Sequence, residues 1–184
     1  MGRRRRTVLV GLVAAIYVAA WSGCGTEAVS SAGGRVTLPL YAFDDSCSGT
    51  VTLDMPPGWQ AGDHPHQLVS RSHGGVELAA TCQSRASYRE MGYRGPWKAE
   101  AVAGWRVPPD IGTRRVTVDG RPAVLRDRAI QLAQVVQYLG LSTVVGDVYV
   151  SIGITLNDAA FFPELEDELV ALVTSATIGA TAGP

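Results

Sequence analysis

The sequence predicts an α+β domain: a mostly antiparallel sheet of about six strands packed by two or three helices. Three observations predict it. Asp119-Gly120 and Gly146-Asp147 each stand between strand-like runs, where two-residue hairpin turns belong. Val148, Val150, Ile152, Ile154 and Leu156 alternate with Tyr149, Ser151, Gly153 and Thr155, giving an apolar face of period two. Leu165, Leu169, Leu172, Val173 and Ala176 fall on one helical stripe. The visible links between strands are short, so neighbouring strands run antiparallel.

The elements follow in chain order. Arg35–Leu40 forms a strand, but Pro39 removes a ladder donor and confines it to an edge. In Thr50–Met55, Val51, Leu53 and Met55 face one way. Pro56-Pro57-Gly58 ends that strand, and Trp59 follows to plug the core edge. Gln67–Arg71 and Val76–Gln83 flank His73-Gly74-Gly75 as a hairpin. Ser84–Met91 reads as a short helix closed by Gly92. Pro96–Gly104 reads as a helix with proline at its first position, which puts Trp97, Ala101 and Trp105 on one face. Arg114–Val118 and Pro122–Arg126 form the first of the two-residue hairpins. Gln134–Val145 is apolar on both faces and takes a central place beside Val148–Leu156. Pro163–Thr174 closes the order as a helix. Its first turns carry Glu164, Glu166, Asp167 and Glu168, where the helix dipole favours anions.

The chain of 184 residues is 46% hydrophobic and 18% charged, a globular composition long enough to bury a core. Four of its 16 basic residues, Arg3 to Arg6, precede an apolar stretch at the N-terminus. Beyond residue 23, 12 basic residues face 17 acidic ones, a net of −5. An acidic body is a poor match for phosphate backbones, so no nucleic-acid partner is expected.

The N-terminus has the anatomy of an export signal. Arg3–Arg6 is a positive region, and Thr7–Ala20 is an uncharged run of 14 residues. As a helix that run spans roughly 21 Å, short of a ~30 Å bilayer core. Ser22-Gly23-Cys24 resembles the cleavage site of bacterial lipoprotein signals, with Trp21 standing where that family usually has an aliphatic residue. The resemblance implies diacylglyceryl modification and acylation, such as palmitate, on Cys24, with cleavage just before it. Plain secretion with a cut near Ala20, and an uncleaved anchor, are the alternatives. Arg5-Arg6-Thr7-Val8-Leu9 is similar to a twin-arginine motif, so both Sec and twin-arginine export stay open. Gly25–Gly34 is small and polar, as a tether would be.

The three cysteines are Cys24, Cys47 and Cys82, an odd number for an exported protein. Lipidation of Cys24 leaves Cys47 and Cys82 to pair in an oxidising compartment. Two buried free thiols are the alternative. No CxxC spacing supports thiol–disulfide catalysis.

The remaining candidates for chemistry are few. His64, His66 and His73, with Asp63, are the residue types that suit Zn²⁺. Their spacing fits no defined site and Pro65 splays two of the rings, so solvated loop histidines and no metal are expected. His73-Gly74-Gly75 resembles an esterase oxyanion loop, but the G-x-S-x-G elbow is absent from the sequence, as are the phosphate-cradling glycine motifs. No catalytic residue and no cofactor are assigned. Trp59, Trp97 and Trp105 are expected in or at the rim of the core, with a partner-binding aromatic rim as the alternative. Arg114, Arg115, Arg121, Arg126 and Arg128 gather around one hairpin. They form either a solvated strand face or a docking surface for anionic lipid or cell-wall polymer.

The segments "VTLDMPPGW", "VTVDGRPAVL" and "VVGDVYVSIGIT", followed by "PELEDELVALVTSATI", come in an order that resembles the Mog1/PsbP-like sandwich. Within it, the order resembles the actinobacterial LpqN-type lipoproteins. That resemblance runs from about Gly49 to Ile178. It implies a protein that binds partners or assists assemblies, without a shared catalytic site. The expected organisation is a signal peptide over 1–23, a tether and extension over 24–48, the sandwich over 49–178 and a tail over 179–184. The expected function is that of a non-catalytic binding or accessory lipoprotein, anchored through Cys24 to the outer face of the bacterial cytoplasmic membrane. Its partner would be an envelope protein or an apolar ligand. The alternatives are a carrier holding an apolar ligand between sheet and helices, and an envelope hydrolase using the 63–73 loop.

Overall fold

Alternation in the long strands and short apolar runs at the two chain ends produce two sheets rather than one. The computed structural model describes residues 30–32, 34–42, 44–61, 67–70, 74–105, 112–131, 135–156 and 158–183. In chain order these form β1 (Ser30–Ala32), β2 (Arg35–Pro39), β3 (Tyr41–Ala42), β4 (Cys47–Asp54), β5 (Trp59–Ala61), β6 (Gln67–Ser70) and β7 (Gly74–Ser84). Two short helices follow, α1 (Arg85–Glu90) and α2 (Ala99–Gly104). Then come β8 (Arg114–Val118), β9 (Arg121–Gln131), β10 (Val135–Val145), β11 (Val148–Leu156), a 3-10 turn (Ala159–Phe161), α3 (Phe162–Thr174) and β12 (Thr177–Ala182). The small sheet has the order β1-β2-β4-β12, and the large one β5-β6-β7-β11-β10-β9-β8. The described pairings are antiparallel except β3 on β7. The class is therefore α+β, mainly antiparallel, with three α-helices among the described residues.

The second sheet is the main departure from the sequence reading. Its strands β1, β2 and β12 have three to six residues, too few alternations to stand out. In β12 (TIGATA) Ile178 is the one large apolar residue, so the segment reads as a tail although it pairs with β4 along its whole length. The expected boundaries at 49 and 178 fall inside paired strands, and the Gly183 N–H still donates to the Ser46 carbonyl at 2.8 Å. Pro39 does not put β2 at an edge. Leu40 N–H donates to the Gly49 carbonyl at 2.9 Å, so the bonded pair is Leu40–Gly49. Pro39 occupies the non-bonded position towards β4, where its missing N–H costs that ladder nothing.

The turns follow their residues. Asp119 (φ 49°) and Gly120 (φ 70°) are both left-handed, as a type I′ hairpin requires. At the second hairpin Gly146 (φ 57°) takes the first central position. Ser84 caps α1 by accepting the Ser87 N–H at 3.1 Å. Helix α2 begins at Ala99, not at Pro96. The Pro96 carbonyl is bonded by Lys98 N–H (2.9 Å) and by the Tyr93 hydroxyl (2.6 Å), which makes a turn there and delays the helix.

The core lies between the two sheets, with α3 on the same side of the large sheet. Leu141, Val150 and Ile152 from the large sheet meet Val51 and Leu53 from the small sheet and Leu165, Leu169 and Leu172 from α3. Cys47 on β4 and Cys82 on β7 form a disulfide, Cα–Cα 6.1 Å, which staples one sheet to the other. Among the described residues no helix is long and apolar enough to cross a membrane.

Candidate functional site: a trough on the outer face of the large sheet

Each long strand of the large sheet sends alternate residues away from the core. From β10 these are Tyr138, Gly140 and Ser142, and from β11 they are Tyr149, Ser151 and Gly153. Register places Gly140 opposite Gly153 and Ser142 opposite Ser151. The two facing glycines leave a bare strip of backbone, and the Tyr138 ring lies across it. A Cβ at Gly140 would stand 2.6 Å from one ring carbon of Tyr138, and one at Gly153 would stand 2.9 Å from another. Beside the ring the floor is hydroxylic: Ser142 donates to Ser151 at 3.5 Å, and Thr81 of β7 lies opposite Ser151.

Helices α1 and α2 roof one end of this floor and bring an aromatic cluster. Tyr88 of α1 is its hub, with ring centroids 5.4 Å from Tyr149, 5.6 Å from Trp97 and 5.7 Å from Trp105. Tyr93 joins Trp105 edge-on at 5.5 Å. Burial pushes the Tyr93 phenol pKa up, and its hydroxyl stays protonated to bond Pro96. Trp97 Nε1–H donates to the Gly146 carbonyl at 2.9 Å, tying the α2 lead-in to the β10–β11 turn. Val102 and Ala103 of α2 complete the roof.

The arginines around the β8–β9 hairpin divide into two groups. Arg114 pairs with Glu166 at 2.9 Å, Arg115 with Glu100 at 2.8 Å, and Arg121 with Asp119. The Arg115 hydrogen bond, and then its charge, hold the Glu100 carboxyl below its usual pKa. Arg126 and Arg128 instead point to the trough side, and among the described residues neither has an acidic partner. Arg126 Nη1 donates to the Ala103 carbonyl, while its Nε is buried without a hydrogen-bond partner. The Arg128 guanidinium sits 5.5 Å over the Tyr138 ring. Together these groups line an open concavity of about 240 Å³ between the sheet and the two short helices.

The structure separates the three tryptophans that the sequence grouped. Trp59 is buried on the core side of β5, where its Nε1–H donates to Glu168 of α3 at 2.7 Å. Trp97 and Trp105 belong to the outer aromatic cluster. Cys24, Asp63, His64, His66 and His73 lie outside the described residues. Sequence reasoning alone misses the trough. Its one sequence signal is the pairing of small residues at period two, Gly140-x-Ser142 and Ser151-x-Gly153, inside two otherwise bulky strands.

The chain is similar in structure to LpqN. That Mycobacterium tuberculosis protein, involved in cell envelope biogenesis, aligns at a TM-score of 0.46 and 12% identity, over 78% of this chain and 91% of its own. The cyanobacterial PsbP (CyanoP) of Synechocystis aligns at a TM-score of 0.40 and 12% identity, over 86% of this chain and 99% of its own. No protein-family model matches the sequence, and no curated protein does.

Proposed function

We propose that the protein is an exported lipoprotein of the bacterial cell envelope, held to the outer face of the cytoplasmic membrane by lipid on Cys24. Its folded body acts by binding. The observation that carries the binding reading is the trough, where aromatic walls, a hydroxyl floor and guanidinium groups with no acidic partner among the described residues converge on one concavity. Its aliphatic hydroxyls come from Ser142, Ser151 and Thr81, and neither carboxylate nor imidazole stands among the described lining residues to activate them. That set of groups favours holding a ligand over transforming one.

The export reading rests on the leader and on the cysteines. Cys47 and Cys82 bond to each other, which suits an oxidising compartment and leaves Cys24 as the odd cysteine at the Ser22-Gly23-Cys24 site. Two acyl chains or more would hold the body at the membrane, where one alone binds only marginally. The net of −5 beyond residue 23 argues against nucleic acid as the partner. A ligand held between sheet and helices would be amphiphilic rather than purely apolar, because Arg126 and Arg128 line the same cavity as the rings.

Cells grown with an alkyne-bearing palmitate test the anchor. The wild-type protein takes up label and fractionates with membranes, and Cys24→Ala loses both. An unlabelled wild-type protein, or label that persists in Cys24→Ala, would sink the lipoprotein reading.

A further inference from the structure

We infer that the trough is a site for a small carboxylate carried on a single aromatic ring. This deepens the binding reading and rests on it. Three features of the cavity narrow the ligand to that class: its size, its walls and its charge.

Size sets the first limit. An apolar cavity of about 150 Å³ holds one benzene. The trough, at about 240 Å³, has room for one ring and one compact polar substituent. A larger ligand would extend out of the open side of the trough into solvent.

The walls choose an aromatic ring. Tyr88, Trp105 and Tyr149 present ring faces and edges around the cavity. Tyr138 lies flat on the floor because Gly140 and Gly153 make space for it. A planar ligand gains stacked and edge-to-face contacts with such walls, which a saturated ring of equal size does not.

Charge chooses a carboxylate. Arg126 lines the cavity, and among the described residues it has no acidic partner to neutralise its charge. Its Nη1 is already engaged by the Ala103 carbonyl, which fixes the guanidinium in place. Arg128, held over the Tyr138 ring, adds a second positive charge from the same strand. A fixed guanidinium lining the cavity and a neighbouring cation on the same strand favour an anion, and a carboxylate is the compact one that a single ring carries. The Ser142 and Ser151 hydroxyls remain to meet a polar ring substituent.

The test is calorimetric titration of the full-length protein in detergent with sodium benzoate. Cyclohexanecarboxylate and inorganic phosphate serve as comparison probes. Benzoate should give saturable one-site binding, cyclohexanecarboxylate should bind several-fold more weakly, and phosphate should give no saturable heat. Arg126→Gln should weaken benzoate about tenfold or more. Arg128→Gln, at an exposed position, should weaken it by a smaller factor without risk to folding. Arg115→Gln, whose partner is Glu100, should leave affinity unchanged. Equal affinity for benzoate in wild type and both trough variants would overturn the site. Saturable binding of phosphate or cyclohexanecarboxylate in preference to benzoate would overturn the ligand class and keep the binding reading. No saturation by any of the three probes would overturn the aromatic-carboxylate site, while the palmitate-labelling test decides the lipoprotein reading separately.

Discussion

On β11, Ser151 and Ile152 are neighbours in sequence and face opposite sides of the same sheet. Ile152 is fully buried beneath the small sheet and α3. Ser151 sits half-buried on the trough floor, among hydroxyls, rings and arginines. The inner face is built mainly from branched and long aliphatic side chains that interlock in one cluster of buried residues. The outer face is built from glycine, serine and tyrosine, which contribute little to a core and leave room for a ligand. Period two lets one strand serve both purposes, with stability on one set of alternate residues and recognition on the other.

The widest separation between the faces should show in stability. Ile152→Ala should lower unfolding free energy by about 2–5 kcal/mol, because it leaves a cavity in a packed core. Ser151→Ala should change it by less than about 1 kcal/mol. Denaturant midpoints of the two variants measure the difference, and similar losses would mean that the faces do not divide as described. The disulfide comes next. Loss of the Cys47–Cys82 link, tested by double substitution to alanine or by reduction, should cost about 3–4 kcal/mol in the chain-entropy account. The effect should be seen as a lower unfolding midpoint with reductant present. The inner face loses its staple, while ligand affinity of the folded protein should hold.

Gly140→Ala sharpens the comparison from the other side. The added methyl meets the Tyr138 ring at 2.6 Å, so the ring must lift off the floor. A stability loss of about 1–3 kcal/mol is expected. Benzoate binding should fall with it, because the lifted ring enters the cavity. The smallest effect concerns the roof. Asp44 accepts hydrogen bonds from Ser46 and from the Ser87 hydroxyl of α1, and these hold its carboxyl below the usual carboxylate range. A pKa lowered on folding stabilises the protein above the unfolded value of about 4. That contribution fades as pH falls through the lower folded value. Acid unfolding followed by tyrosine and tryptophan fluorescence should therefore be less pH-dependent in Asp44→Asn over that range.

The inner face could be read from the chain because each of its elements repeats a period. Val148 to Leu156 alternates without a break, and α3 sets Leu165, Leu169 and Leu172 on one stripe. The hairpins could be read because Asp119-Gly120 and Gly146 have few other conformational uses. The small sheet escaped because β2 and β12 are short and Pro39 is tolerated at a non-bonded position towards β4, which only the register reveals. The trough escaped for a different reason. Its floor requires Gly140 to register with Gly153, and its roof requires α1 and α2 to fold over strands that come much later in the chain. Contacts of such sequence separation leave no local pattern to read. The five arginines looked alike in sequence, and only their partners divide them: Glu100, Asp119 and Glu166 for three, a ring and a backbone carbonyl for two.

The central claim is that one face of the large sheet holds the protein together and the other holds a ligand. Nuclear magnetic resonance of the full-length protein titrated with benzoate tests it most directly. Resonances of Arg126, Tyr138, Ser142 and the Trp105 indole should shift together and saturate with one affinity, while the methyl groups of Leu141, Ile152 and Ile154 stay in place. Shifts centred on those inner methyls, or a titration that leaves Arg126 and Tyr138 unmoved, would contradict it.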